Sequence, residues 1–181
     1  MAGAPRAPIM AGMHLAFGLG GAAHASAIAS VRNAAAEHLT RIYGTGPWSS
    51  MVTERGVLSG MRTGQVVIAR ERGQVVGTLR LQRKKPWAID VSYFTRVTHP
   101  LYLLDMAIRP DHQRQGVGRQ LLEAAGEQAR AWPADVIRLD AYDDPAGAGP
   151  FYAKCGYRET GRVSYRGVPL IYFERLLTSE R

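Results

Sequence analysis

LYLLDMAIRPDHQRQGVGRQLLEAAGEQARAW, residues 101–132, is the stretch on which the reading of this chain turns. It opens with a largely apolar run that stops at Arg109-Pro110. Proline has no N–H to give to a sheet and biases the residue before it away from the helical region, so a strand ends here. Beyond a polar loop, Val117, Leu121, Leu122, Ala125, Ala129 and Trp132 recur at spacings of four, one, three, four and three, which stacks them on one face of a helix. The order is strand, glycine turn, helix. The helix begins beside Gly116 and Gly118, where its first turn offers unpaired backbone N–H groups and the positive end of its dipole. These glycines lack the Cβ atoms that would hold an anion away from the N–H groups, and Gln113, Arg114, Gln115 and Arg119 surround them with donors. A phosphate suits this corner.

Working outward toward the N-terminus, residues 14–18 read as a short first strand, ended by Gly18, Gly20 and Gly21. A helix is predicted over residues 23–43, where Ile28, Val31, Ala35, Leu39 and Ile42 recur at helical spacing before Gly44-Thr45-Gly46-Pro47 stops the pattern. Ser49 or Ser50 is placed to cap a second helix through Met51, Val52, Leu58 and Met61. Residues 65–70 and 74–82 form a hairpin around Glu71-Arg72-Gly73, its second strand alternating as a half-buried strand does. The basic, aromatic linker over residues 83–99 reads as a loop bordering a pocket in preference to a nucleic-acid surface, being short and set between strands.

Toward the C-terminus, residues 136–140 are a short apolar strand, and a turn-rich connection leads into a brief helix over residues 151–155 closed by Gly156. Residues 157–165 and 169–176 finish the chain as a hairpin around Arg166-Gly167. The predicted fold class is α/β of the α+β type, a mixed, mostly antiparallel central sheet flanked by helices.

The 181 residues suffice for one domain with a full core and are too few for two ordinary ones. A single domain over residues 13–181 is expected behind a loose tail of residues 1–12, the Ala/Gly-rich start being interrupted by His14 and by glycines where a signal peptide would be apolar. No run is long and apolar enough for a spanning helix, so no membrane partner is expected. The formal charge of +8 favours acidic partners, which bears on steering and not on fold. Cys155 is the only cysteine, which excludes an intrachain disulfide and a cysteine zinc cluster and favours a reducing, cytoplasmic setting.

Two phosphate-binding alternatives fail on their own residues. A dinucleotide fingerprint needs a third glycine, and Gly116-Val117-Gly118-Arg119-Gln120-Leu121 lacks it; a P-loop needs Gly-Lys-Ser/Thr, which Gly118-Arg119-Gln120 is not. What remains is Gln113-x-x-Gly116-x-Gly118 after a strand ending Met106-Ala107-Ile108, followed some thirty residues later by Gly149-Pro150-Phe151-Tyr152-Ala153-Lys154-Cys155-Gly156-Tyr157. These segments resemble the pyrophosphate-binding motif and the Phe/Leu-Tyr-x-x-x-Gly-Phe/Tyr motif of the GNAT family, the Gcn5-related N-acetyltransferases.

That resemblance implies a GNAT-like fold and direct transfer of acetyl from acetyl-CoA to a primary amine of a small molecule or peptide, with no metal. It implies that Gln113, Arg114, Gln115, Gly116, Val117, Gly118 and Arg119 hold the CoA pyrophosphate. Asp105, Met106, Ala107 and Ile108 would line the pantetheine arm and offer an N–H to the thioester carbonyl, and Phe151 would complete the cofactor site. Tyr152 matches the tyrosine that protonates the departing thiolate. Asp105 is the candidate base or ammonium ligand if it faces the acceptor, and a strand-face residue with a hydrogen-bond partner if it does not. The chain departs from the family pattern at Leu104, where a glutamate is frequent, and at Pro145, where an asparagine is frequent. A homodimer through the C-terminal strands is a further implication. A different acyl-CoA, or an acyl-CoA-binding regulatory domain with little activity, stands as the alternative. The Arg/Lys-rich linker favours an acceptor bearing an acidic group.

Overall fold

The computed structural model describes residues 14–177; the predicted tail, residues 1–12, lies outside them. In chain order the elements are β1 (Leu15–Gly20), α1 (Ala25–Tyr43), α2 (Glu54–Met61), β2 (Gln65–Glu71), β3 (Gln74–Gln82), β4 (Pro100–Ile108), α3 (Val117–Ala131), β5 (Val136–Tyr142), α4 (Gly149–Lys154), β6 (Arg158–Tyr165) and β7 (Val168–Leu176). The seven strands make one sheet in the order β1-β2-β3-β4-β5-β7-β6. Every neighbouring pair is antiparallel except β4 and β5, which run parallel. The mixed, mostly antiparallel sheet expected from the sequence is therefore the one observed.

Helices cover both faces. On one, Val117, Leu121, Leu122, Ala125 and Ala129 of α3 pack onto Val67, Ala69, Leu81, Leu101, Ile137 and Leu139. On the other, Ile28, Ala29 and Val31 of α1 and Val57 of α2 pack onto Val66, Ile68 and Val75. With cover on both sides, β3 is buried along most of its length and does not show the half-buried alternation predicted for it.

The pairing of β4 with β5 lasts only from Pro100↔Val136 to Tyr102↔Arg138. Beyond that the two strands part. On its other edge β4 carries an irregularity against β3, where the register steps from Arg80↔Leu104 to Thr78↔Ala107. Asp105 and Met106 thus face the single residue Leu79, and Asp105 adopts the left-handed region at φ +56°. The bulge lets neighbouring residues swap faces. Met106 packs into the α3-side core, while Leu104 lies with Tyr102 and Tyr172 on the opposite side.

Several sequence expectations are corrected. The first strand runs on through Gly20. Thr53, not Ser49 or Ser50, caps α2, its Oγ1 accepting from the Gly56 N–H at 3.1 Å. The apolar stripe of α1 is divided: Ile28 and Val31 are core, Ile42 is 55% exposed, and Ala35 and Leu39 face a cleft. The linker over residues 83–99 seals the sheet on the α1 side, with Ile89 and Phe94 buried against Tyr102 and Tyr172 and with Thr95 bonded to buried Glu174. It does not line that cleft.

Leu121 lies at the centre of the α3–sheet core and is fully buried. Leu121→Ala is expected to cost about 2–5 kcal/mol through lost burial and the cavity left behind. The check is the urea midpoint at unchanged slope; a loss below about 1 kcal/mol would mean that this contact is not central to the core.

Candidate active site

The connection from β4 to α3 folds tightly. Pro110–His112 makes a short 3-10 turn, Arg114 sits in the left-handed region at φ +59°, and Gly116, the residue before the helix, is at φ +82°. Left-handed residues alternating with ordinary ones in such a turn bring successive backbone N–H groups together as a nest. Among the described residues, nothing accepts from the backbone N–H groups of Arg114 through Arg119, since Gln120 is the first whose N–H bonds back, to the Gly116 carbonyl at 3.2 Å. Six consecutive donors at a helix start are an anion site built from backbone alone.

The side chains around it divide differently from the sequence reading. Gln113 Nε2 donates to the Ile108 carbonyl at 3.1 Å and Gln115 Nε2 to the Asp111 carbonyl at 2.8 Å, so both amides brace the loop. Arg119 donates to the Lys154 carbonyl at 3.3 Å, tying α3 to α4. Gly118 serves packing as well as access, because a Cβ there would lie 3.0 Å from the Phe151 ring. Phe151 thus connects the loop to Tyr152.

Where β4 and β5 part, a cleft of about 420 Å³ opens, lined by Leu103 to Ala107 of β4, Asp140 to Tyr142 of β5, Tyr152 of α4, and α1. On this parting edge the backbone of β4 from Leu103 onward has no strand partner in β5. Of the residues singled out from sequence, the cleft brings together Asp105, Met106, Ala107 and Tyr152, while the loop from Gln113 to Arg119 and Phe151 stand beside it. A second groove of about 530 Å³, between β1 and α2, has Arg62 as its sole ionisable side chain and so offers little chemistry.

Tyr152 is buried among Phe151, Tyr157 and Phe173, and its hydroxyl donates to Met106 Sδ at 3.5 Å. Burial, together with Tyr157, Asp140 and Cys155, pushes its pKa well above the usual value, so the phenol keeps its proton. Asp105 faces the α1 side of the cleft with its carboxylate engaged: Oδ1 accepts from Arg32 Nη2 at 3.0 Å and Oδ2 from Arg80 Nε at 2.8 Å.

A second carboxylate went unnoticed in the sequence. Asp140 sits at the end of the apolar run of β5, and among the described residues no side chain donates to it. Burial raises its pKa, its own backbone N–H working against the shift. The signal was its parity: Arg138, Asp140 and Tyr142 alternate with the core residues Ile137, Leu139 and Ala141.

The comparisons with known proteins agree with this geometry. A family model described as an acetyltransferase (GNAT) domain matches residues 62–159, more than half of the chain. The chain belongs to the GNAT acetyltransferase family. Its fold is similar to that of yncA from Salmonella typhimurium, solved with its cofactor acetyl-CoA, at 18% identity and TM-score 0.67 over 92% of this chain and 95% of that one. It is similar also to the ribosomal-protein-alanine N-acetyltransferase from Brucella melitensis, at 20% identity and TM-score 0.69 over 90% of this chain and 99% of the other. A third structure, the ribosomal-protein-S18-alanine N-acetyltransferase from Escherichia coli, gives 15% identity and TM-score 0.67 over 93% of this chain and 97% of that one. At these identities the likeness speaks to fold.

The GNAT loop before α3 is anchored by a titratable cluster. His112 Nδ1 meets Asp111 at 2.8 Å and Nε2 meets Glu71 of β2 at 3.0 Å. Burial opposes the charged imidazole, but the two carboxylates outweigh it and raise the pKa. A raised histidine stabilises fully below its ordinary pKa of about 6.5 and loses that contribution as pH rises through the folded value. Wild type should therefore lose urea stability between pH 6 and pH 8.5 by more than His112→Gln does; parallel pH profiles for the two proteins would refute the anchoring role.

Proposed function

We propose that the protein transfers acetyl from acetyl-CoA to a primary amine, with Asp140 as general base and Tyr152 as general acid. The observation that carries this reading is the run of six unpartnered backbone N–H groups, Arg114 to Arg119, opening beside the parted edges of β4 and β5. The loop fits a pyrophosphate because it provides charge complement without side-chain crowding. The free edge of β4 fits an extended amide-bearing arm, which pairs with a strand as another strand would. Acetyl-CoA bound in this way supplies a thioester whose carbonyl carbon accepts the amine.

In this reading the chain's residues act in order. Asp140 takes the proton that the amine must lose, its carboxylate having no side-chain partner among the described residues. A backbone N–H of β4 between Asp105 and Ile108 donates to the carbonyl oxygen as negative charge develops there. The C–N bond forms and the C–S bond breaks. Tyr152 gives its proton to the leaving sulfur, and solvent restores it. The hydroxyl's contact with Met106 Sδ supports this role, since the O–H is already aimed at a sulfur on the cleft side. Asp105, which the sequence left as a base or ammonium ligand or else a strand-face residue with a hydrogen-bond partner, becomes a positioning group, because both of its oxygens are held by arginines that fix the β4 bulge.

Tyr152→Phe and Asp140→Asn are each expected to lower kcat by about 10²–10⁴ while leaving acetyl-CoA binding, followed by calorimetry, unchanged. The acid limb of the wild-type kcat/KM profile should lie above the ordinary carboxylate range, because burial raises Asp140, and Asp140→Asn should abolish it. Wild-type kcat and an intact acid limb in Asp140→Asn would exclude it as the base.

A further inference from the structure

We infer that the acceptor is a small zwitterionic amine, an amino-acid-like molecule whose carboxylate is bound by Arg32 while its amine meets Asp140. This rests on the transferase reading above and adds the class of acceptor. The cleft's charged lining consists of Arg32, Asp105 and Asp140. Asp105 is matched by Arg80, which reaches it from β3 at 2.8 Å, so the charge of Arg32 is in excess at the α1 wall. At the β5 wall no side chain among the described residues donates to Asp140. One surplus guanidinium and one lone carboxylate on opposite walls form the electrostatic complement of a zwitterion.

Arg32 has capacity to spare. It donates to Asp105 through Nη2 alone, and among the described residues Nε and Nη1 have no acceptor. A quarter of its side chain, 26%, is exposed. Arg80, by contrast, spends Nε on Asp105 and Nη1 on Thr63 and Gln82. Only one bond from Nη2 is engaged, so its second hydrogen completes a fork with Nη1 or with Nε, and such an edge of a planar guanidinium recognises a carboxylate by paired hydrogen bonds.

The remaining lining sets size and polarity. Ala35, Leu39, Pro47 and Trp48 give the α1 side an apolar wall, with Trp48 edge-on to Tyr142 at 5.9 Å. An acceptor with an apolar body fits it. A polycation does not, because its additional ammonium groups would find no unpaired carboxylate here.

The test uses purified full-length enzyme, acetyl-CoA and a thiol-release assay on matched acceptors: leucine, methionine and phenylalanine, each beside its amide and its decarboxylated amine, with spermidine as the polycation. The amino acids are expected to exceed their amides in kcat/KM by about 10- to 100-fold, from charge-assisted bonds to Arg32. Amidation lowers the amine's own pKa and so favours the amide chemically, which makes this a demanding comparison. Arg32→Gln should bring the ratio close to one, chiefly by raising KM for the acids, and Arg32→Lys should keep part of it. Amides, amines or spermidine turned over as well as the acids by wild type would overturn the inference and leave the transferase reading standing. An undiminished acid preference in Arg32→Gln would also overturn it. Turnover of none of these compounds by enzyme that binds acetyl-CoA would overturn both.

Discussion

The site depends on one constraint: β4 and β5 begin as a bonded parallel pair and are not allowed to continue as one. After Tyr102 and Arg138 the ladder ends, and β4 immediately bulges at Asp105. A left-handed aspartate costs about 1–2 kcal/mol of backbone strain. Against it stand two charge-assisted bonds from Arg32 and Arg80, each worth about 1.5–3 kcal/mol when buried and less here, where the side chains are 15–27% exposed. Even discounted, the pair offsets the strain. Because one arginine comes from α1 and the other from β3, the same contact fixes the bulge and sets the height of α1 above the cleft.

The strands are held together just before they part. Arg138 donates to the Thr95 carbonyl at 2.6 Å and lies over the Phe94 ring at 5.1 Å, on the face opposite α3. Buried Glu174 of β7 takes the Thr95 N–H and hydroxyl and a bond from Arg158. Burial alone would raise this carboxyl, but these donors lower it. The linker over residues 83–99 therefore works as a brace behind the bonded end of β4 and β5, so that splaying is confined to the end that faces α3 and α4. Its basic and aromatic composition, taken alone, gave no hint of this, since the partners are on β4, β5 and β7.

The loop and strand proposed to hold the acetyl donor carry motifs legible in the sequence, and the proposed acceptor pocket does not, for a physical reason. The loop before α3 works through its backbone, and the residues that make a backbone usable, Pro110, Gly116 and Gly118, are the ones with conformational signatures. The strand–turn–helix order and the tyrosine segment follow from periodicity and from turn formers. The acceptor half works through side chains brought together by tertiary contacts: Arg32 and Asp105 are 73 residues apart in sequence. No local pattern predicts a left-handed Asp105 or the division of α1 between core and cleft at Ala35. Pattern reading also assumes that every apolar stripe is buried, which fails where a stripe lines a binding site. Asp140 was visible only as a polar residue closing a short apolar strand, a position where most such residues are solvated.

In the proposed reading the two carboxylates on the cleft take opposite roles, and environment alone separates them. Asp105 is held from both sides by guanidinium groups, so it works as fixed architecture. Asp140 lies on a strand that has lost β4 as a neighbour while keeping β7, with no side chain among the described residues donating to it and with burial disfavouring its charge. A group so placed accepts a proton without surrendering any structural bond, which is what a base must do in every cycle. Both situations meet where β4 and β5 part, since the bulge that Asp105 stabilises follows directly on the last paired residues and Asp140 is left on the open edge of β5. The geometry that opens the cleft is therefore also the geometry that leaves within it the carboxylate proposed as the base.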